Sequence, residues 1–270
     1  MGIYGKTFKI NRYDTQYNPM GGTILNATLD PRIQTHMEAG TAQRQLASHK
    51  VVAAKPVLDF EMNIRRLTDF ITSHAMITAE GVVPAHTLYY TDGTESYKFE
   101  NSKVNTCRIS IKTLESVKAN IQVALKSHAA LSPSTFEFRT EDAMYKDAVT
   151  TLNIESAPVT GWSEIEFGVD NKVLQEVLGT DIEPTEVEEQ EAVYTGHILR
   201  AKPSTSKYTT ALDGTVQDIV IALQDNQSSP VTKTFTYANA CLKTSKIEIR
   251  KLGLDFERIE WEGKSMVITG

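Results

Sequence analysis

Residues 99–127 return, 138 positions later, as residues 237–265. In that register Asn101 meets Asn239, Thr106 meets Thr244, Ile109 meets Ile247 and Ile111 meets Ile249. Farther on, Leu114 meets Leu252, Ile121 meets Ile259, and Lys126-Ser127 meets Lys264-Ser265. These eight identities in 29 positions come with matches of type at Phe99/Tyr237, Val104/Leu242, Arg108/Lys246 and Lys112/Arg250. A period of this length exceeds the ~20–50 residues of solenoid repeats. It predicts a duplicated domain, with residues 1–132 forming one copy and 133–270 the other.

The repeated segments are strands in pattern. In Val57–Ile64 the apolar residues Leu58, Phe60, Met62 and Ile64 alternate with Asp59, Glu61 and Asn63. Ser163–Val169 repeats the device with Ile165, Phe167 and Val169, and further alternation runs through 135–139 and, less strictly, 192–199 and 219–223. Period-2 patterning marks strands with one face on a core and the other on solvent or a second subunit. The chain is therefore expected to be mainly β. Two short helices are also expected, each flanking a sheet. One spans 66–71, where Leu67, Phe70 and Ile71 share a face; the other spans Asn171–Leu178, capped by Asp170 or Asn171 and stopped by Gly179. Residues 141–152 show no clean stripe and read as a connector. Leu212-Asp213-Gly214 and the segment 225–230 read as hairpin turns. Aligning the two strand-plus-helix segments requires a shift of 105, which places about 33 extra residues within 180–236 of the second copy.

Signatures of catalysis are missing from the chain. The six histidines are scattered, with no pair at the spacing that aims two rings at one metal. Phosphate-cradling, dinucleotide-binding and nucleophile-elbow motifs do not occur. Asp92-Gly93-Thr94-Glu95 offers oxygen ligands, yet Asp-Gly between Thr87–Thr91 and Ser96–Phe99 is a strong hairpin signal that accounts for them without an ion. Cys107 and Cys241 lie far apart and are expected to be reduced thiols. With 34 acidic against 28 basic residues the net charge is −6, opposite in sign to a nucleic-acid-binding footprint. No run reaches the ~18 apolar residues of a membrane span. The first residues lack the pattern of a secretory signal, and Lys6 disfavours myristoylation of Gly2. On that expectation the glycosylation-type triplets at Asn26 and Asn226 are chance matches. The chain is thus expected not to be an enzyme and to need no metal and no cofactor.

Two stretches carry a resemblance. One is Gly161–Gly179, "GWSEIEFGVDNKVLQEVLG", followed by an acidic loop and the strand Glu191–Lys202, "EAVYTGHILRAK". The other is Ser96–Ser127, "SYKFENSKVNTCRISIKTLESVKANIQVALKS", with Phe99, Val104-Asn105, Ile109 and Ile111 in sequence. Together they resemble the tail tube proteins of long-tailed phages and related viruses, over roughly residues 50–265; residues 1–45 lie outside the resemblance.

The resemblance implies a tandem pair of β-sandwich or barrel domains, each with a flanking helix. It also implies assembly in the host cytoplasm into a virion tail. Six such folds would surround a channel, so a two-copy chain would need three subunits per pseudo-sixfold ring, with a ring of six subunits as the alternative. The rings would stack into a tube, meet other tail proteins at its ends, and pass DNA through the lumen without specific binding. Glu164 and Glu166, opposite Ile165 and Phe167, and Glu186, Glu188 and Glu189 in the acidic run are the candidate lumen-facing residues. Tail terminator, baseplate hub and the inner tube of a contractile machine share the pattern. A β-sandwich that binds glycans or proteins through Tyr89, Tyr90 or Tyr208 stays open, as does an enzyme with an unrecognised site.

Overall fold

The computed structural model describes residues 9–13, 17–19, 22–39, 46–64, 71, 75–76, 82–91, 96–131, 150–179, 181–201, 211–224, 230–248 and 256–270. The described chain is mainly β. Its first half holds β1 (Lys9–Tyr13), β2 (Tyr17–Pro19), β3 (Gly22–Asp30), β4 (Ile33–Ala39) and β5 (Leu46–Ala54). These are followed by β6 (Val57–Ile64), β7 (His86–Thr91), β8 (Ser96–Lys112), β9 (Lys118–Ala124) and β10 (Ser127–Leu131). The second half holds β11 (Thr150–Ile154), β12 (Ala157–Pro158), β13 (Trp162–Asp170), β14 (Leu174–Glu176) and β15 (Glu186–Glu188). It ends with β16 (Val193–Ala201), β17 (Val216–Gln224), β18 (Thr232–Glu248), β19 (Phe256–Gly263) and β20 (Ser265–Thr269).

Alternation translates directly into burial. Along β6, Leu58, Phe60, Met62 and Ile64 are buried while Asp59, Glu61 and Asn63 are half-buried. On β13, Ile165, Phe167 and Val169 are buried, and Glu164 and Glu166 lie on the other face. β7 and β8 pair up to Thr91↔Ser96 around the Asp-Gly segment, and both Tyr89 and Tyr90 are buried.

Eight strands form a central antiparallel sheet in the order β3-β6-β9-β8-β13-β16-β19-β18. Two flanking sheets branch from it, β2-β1-β7-β8-β10 and β12-β11-β17-β18-β20. The 17-residue strands β8 and β18 belong to both layers. Each bends at an asparagine, Asn101 or Asn239, held at φ +51°. Asparagine tolerates this left-handed conformation better than other residues bearing a Cβ. Irregularities in the ladder follow at Val104/Thr106 and Leu242/Thr244. Such a corner lets one strand leave one layer and enter the next. The buried residues of the central and flanking sheets make one contiguous core, in which Phe167 packs on Phe235 (centroids 5.1 Å apart) and Tyr237 on Trp261 (5.9 Å).

The ladders of the second half repeat those of the first at a fixed offset. Ala27↔Phe60 becomes Ile165↔Ile198, Phe60↔Ile121 becomes Ile198↔Ile259, Cys107↔Ile121 becomes Ser245↔Ile259, and Glu100↔Ser127 becomes Ala238↔Ser265, all at +138. The irregularities between Ile24 and Asn26 and between Trp162 and Glu164 coincide in the same frame. β13 therefore plays the part of β3, and β16 that of β6. This corrects the 105-residue shift, together with the insertion it placed within 180–236. Sheet register is set by pairing partners, and two strands of similar pattern within one unit are interchangeable to the eye but not to the ladder.

The helix expected over Asn171–Leu178 is also corrected. Lys172 sits at φ +46° with its N–H on Asp170 Oδ1 (2.9 Å), and Val173 N–H donates to Asn105 Oδ1 (2.8 Å). With these donors committed elsewhere, residues 174–176 extend as β14 and pair with β15. Of the helix expected over 66–71, residues 66–70 lie outside the described residues; Ile71 is buried and accepts from Met76 N–H (2.7 Å). The strand expected over 135–139 and most of the connector 141–152 are outside them as well, although residues 150–154 form β11. At 212–214 the hairpin turn is replaced by a helical end, residues 211–213, closed by Gly214 at φ +66°. Among the described residues no helix is long and apolar enough to cross a membrane.

Candidate functional site

Three features of the central sheet frame the candidate site: its end strands, its polar face, and the hairpins that follow β3 and β13. At the middle of the sheet, β8 of the first half pairs with β13 of the second over Thr106–Lys112 and Glu164–Asp170. Gly168 allows a close approach there: a Cβ at this position would lie 2.1 Å from the Cys107 carbonyl oxygen and 2.9 Å from Arg108 Cα. At the ends of the sheet stand the counterparts of these two strands. Among the described residues β3 pairs only with β6 on its long edge, and the C-terminal part of β18 only with β19. An antiparallel sheet that stops this way presents unpaired N–H and C=O groups at both ends.

The polar face is a lattice of opposite charges. Glu166 lies across from His197 on β16, which in turn lies across from Glu260 on β19. Arg108 Nη1 is 3.4 Å from Glu166, Lys112 Nζ is 3.9 Å from Glu164, and Arg258 Nε is 2.6 Å from Glu260. In the first half, Glu61 accepts from Asn26 (2.8 Å) and lies 3.3 Å from Lys118 Nζ; Asp59 accepts from Gln122 (2.8 Å). Carboxylates of Glu164 and Glu166 come within 4.8 Å of the His197 ring. Each carboxylate nevertheless faces a basic side chain, so the arrangement is an ion-pair lattice. Burial, and after it the Arg258 guanidinium, hold the His197 pKa below its ordinary value, against the pull of Glu166, Glu164 and Glu260.

The five acidic residues singled out from sequence separate into two places. Glu164 and Glu166 lie together on this lattice. Glu186 and Glu188 are exposed on β15, in the two-stranded β14–β15 sheet, and Glu189 beside them pairs with Lys103 of the first half. Burial works against ionisation of Glu189, but the Lys103 hydrogen bond and charge, with two backbone N–H groups, hold its pKa below the usual value.

The β14–β15 hairpin thus packs on the first half, and several side chains hold it there. Gln175 Nε2 donates to the carbonyls of Pro56 (2.8 Å) and Leu125 (2.7 Å), and Asn171 Nδ2 to that of Val104 (2.9 Å). Asn171 and Gln175 are buried. Sequence patterning missed them because an amide in a short polar segment looks like a cap or a turn until its distant carbonyl partners are known.

Cys107 is fully buried, which pushes its pKa up to about 12; such a thiol is chemically quiet. No protein-family model matches this chain, and no curated protein matches it.

Proposed function

We propose that the chain is a tandem duplication of one β unit and that it serves as a structural subunit of a viral tail tube. Three chains would close into a ring of six units, and rings would stack around a channel that passes DNA. One observation carries this reading: the chain already contains one unit-to-unit junction, β8·β13, and among the described residues the two counterpart edges, β18 and β3, have no further sheet partner at opposite ends of the same sheet. An interface that uses different surfaces on its two sides generates rings or helices. Carrying the internal register to the next chain puts Thr28 opposite Glu248, Leu29 opposite Ile247 and Asp30 opposite Lys246.

Layer order supports a lumen on the polar face. The central sheet runs unbroken across both units, whereas the flanking sheets are separate, one per unit. In a closed ring the continuous layer fits the smaller, inner circumference, and the separate sheets fit the outside. Glu164 and Glu166 then line the channel, with Asp59, Glu61 and Glu260. Because the glutamate carboxylates face arginine and lysine, the wall offers DNA phosphates few free cations, and each phosphate contact avoided is affinity avoided.

The test uses a cysteine pair at positions 28 and 248, which the internal register sets opposite each other. The double variant Thr28→Cys/Glu248→Cys, oxidised at high protein concentration, should give covalent dimers and trimers on a non-reducing gel, closing at the trimer. Each single variant, which retains the native Cys241, should not. Electron microscopy of the same sample should show rings or striated tubes with a central channel. A protein that stays monomeric at all concentrations and gives no cross-linked species overturns the proposal.

A further inference from the structure

The two hairpins that follow β3 and β13 occupy corresponding places, and among the described residues the side chains of β4–β5 are the more exposed. β3 and β13 both end in Asp-x-basic turns, set two residues apart in the +138 frame: Arg32 N–H donates to Asp30 Oδ1 and Lys172 N–H to Asp170 Oδ1, each at 2.9 Å, with φ +44° and +46° at the basic residue. Each turn leads into a hairpin, β4–β5 in the first half and β14–β15 in the second. At +138 the cross-strand pair Met37↔His49 of the one matches Gln175↔Val187 of the other, and Val51 and Val52 take the places of Glu189 and Gln190. Asn171 and Glu189, which bond to Val104 and Lys103 of the first half, are buried and half-buried, whereas their counterparts Ile33 and Val51 are 54% and 38% exposed, with Val52 at 45%.

The reason is positional. β14–β15 lies on the unit that precedes its own, and among the described residues no unit precedes the first. From this we infer that β4–β5 docks on the second unit of the neighbouring chain, as a clasp across the chain-to-chain junction. This inference rests on the ring reading. The surface it would meet is the counterpart of the one β14–β15 uses: Lys103, Asn105 and Leu125 become Cys241, Lys243 and Gly263 at +138. Cys241 stands where Lys103 holds Glu189, so an ion pair inside the chain gives way to an apolar contact between chains. That substitution matches the valines and isoleucine of β4–β5.

A further arrangement agrees with a clasp that runs around the ring. Ala54 N–H, at the base of β4–β5, donates to the carbonyl of Ile182, in the loop joining β14 to β15 (2.7 Å). One hairpin's base therefore already meets the next hairpin's loop inside the chain. The same contact, propagated, would link each chain to its neighbour. The ladder between chains also needs help. Asp30 replaces Gly168 at the close approach, and Pro31, with no N–H, follows it. An edge pairing this short leaves the hairpin to supply contact.

The experiment compares wild type with Val51→Glu/Val52→Glu, and with Val267→Glu as a control that is exposed on flanking β20. Native mass spectrometry and electron microscopy read ring formation against concentration; circular dichroism checks that the monomers fold. The double variant should raise the concentration needed for rings by at least about tenfold, as expected for loss of one buried apolar side chain, while Val267→Glu assembles like wild type. Rings that form equally well from the double variant overturn the clasp and leave the ring reading standing. Single rings that no longer stack would assign the hairpin to ring-to-ring contact, which also overturns it. Absence of rings from wild type overturns the ring reading, and the clasp with it.

Discussion

His197 sits in the middle of a row of carboxylates and still favours the neutral ring. Burial and Arg258 outweigh Glu164, Glu166 and Glu260. A histidine whose pKa is lowered on folding binds fewer protons in the native state than in the unfolded chain. Its stabilising contribution is present above the ordinary value of 6.5 and is lost as pH falls from there towards the lowered value. Thermal unfolding should therefore show a decline below pH 6.5 that His197→Gln removes, with a slope of at most ~1.4 kcal/mol per pH unit for one proton. An unchanged pH profile in the variant would place the decline elsewhere. Glycine at 196 has a different role, since a Cβ there would fall 2.1 Å from Trp261 Cζ2. The counterparts of Gly196 and Trp261 in the first half are Leu58 and Val123, which face each other in the same register. One unit packs medium against medium, and the other small against large. Compensation of this kind conserves core volume while erasing identity, which is why the repeat is visible at Asn101/Asn239 and invisible at these positions.

Among the elements, β6 and β13 were legible from alternation alone, because a half-buried strand writes its two faces into the sequence. β14 was not. Its amphipathic spacing over Val173, Leu174, Val177 and Leu178 suits a helix, and only Asn105, 68 residues away, diverts the backbone N–H of Val173. Such a capture is a tertiary event, and no local pattern contains it. Strands β16 and β19 carry a second instance of divergence between the halves. Arg200 and Glu257 form a buried pair, with Nε 2.7 Å from Oε2, where the first half has Met62 opposite Ala119. Removing one partner alone, as in Glu257→Ala, should cost ~3–5 kcal/mol because it strands the other charge. Installing the first half's solution, Arg200→Met/Glu257→Ala, should recover most of that and reach or exceed wild-type stability by up to ~1–4 kcal/mol. Denaturant unfolding of the three variants checks both statements.

At the scale of the whole molecule, the 138-residue echo foretold the frame in which the ladders of the two halves coincide, but not the path of the chain within each half. The acidic lining inferred from sequence likewise missed its partners, since Arg108 and Lys112 come from a different strand and a different half. The two halves are joined at the β8·β13 ladder. Gly168→Ala must push two backbones apart there, so it should lower the melting temperature by an overpacking cost of ~1–3 kcal/mol and weaken the coupling of the halves. Calorimetry should then resolve a broader transition, or two transitions in place of one. A further consequence of that junction is kinetic. Because it lies within one polypeptide, every second contact of a six-unit ring forms at the high effective concentration of a tether. On the ring reading, closure becomes third order in chain rather than sixth order in unit, and ring nucleation at dilute concentration speeds up accordingly.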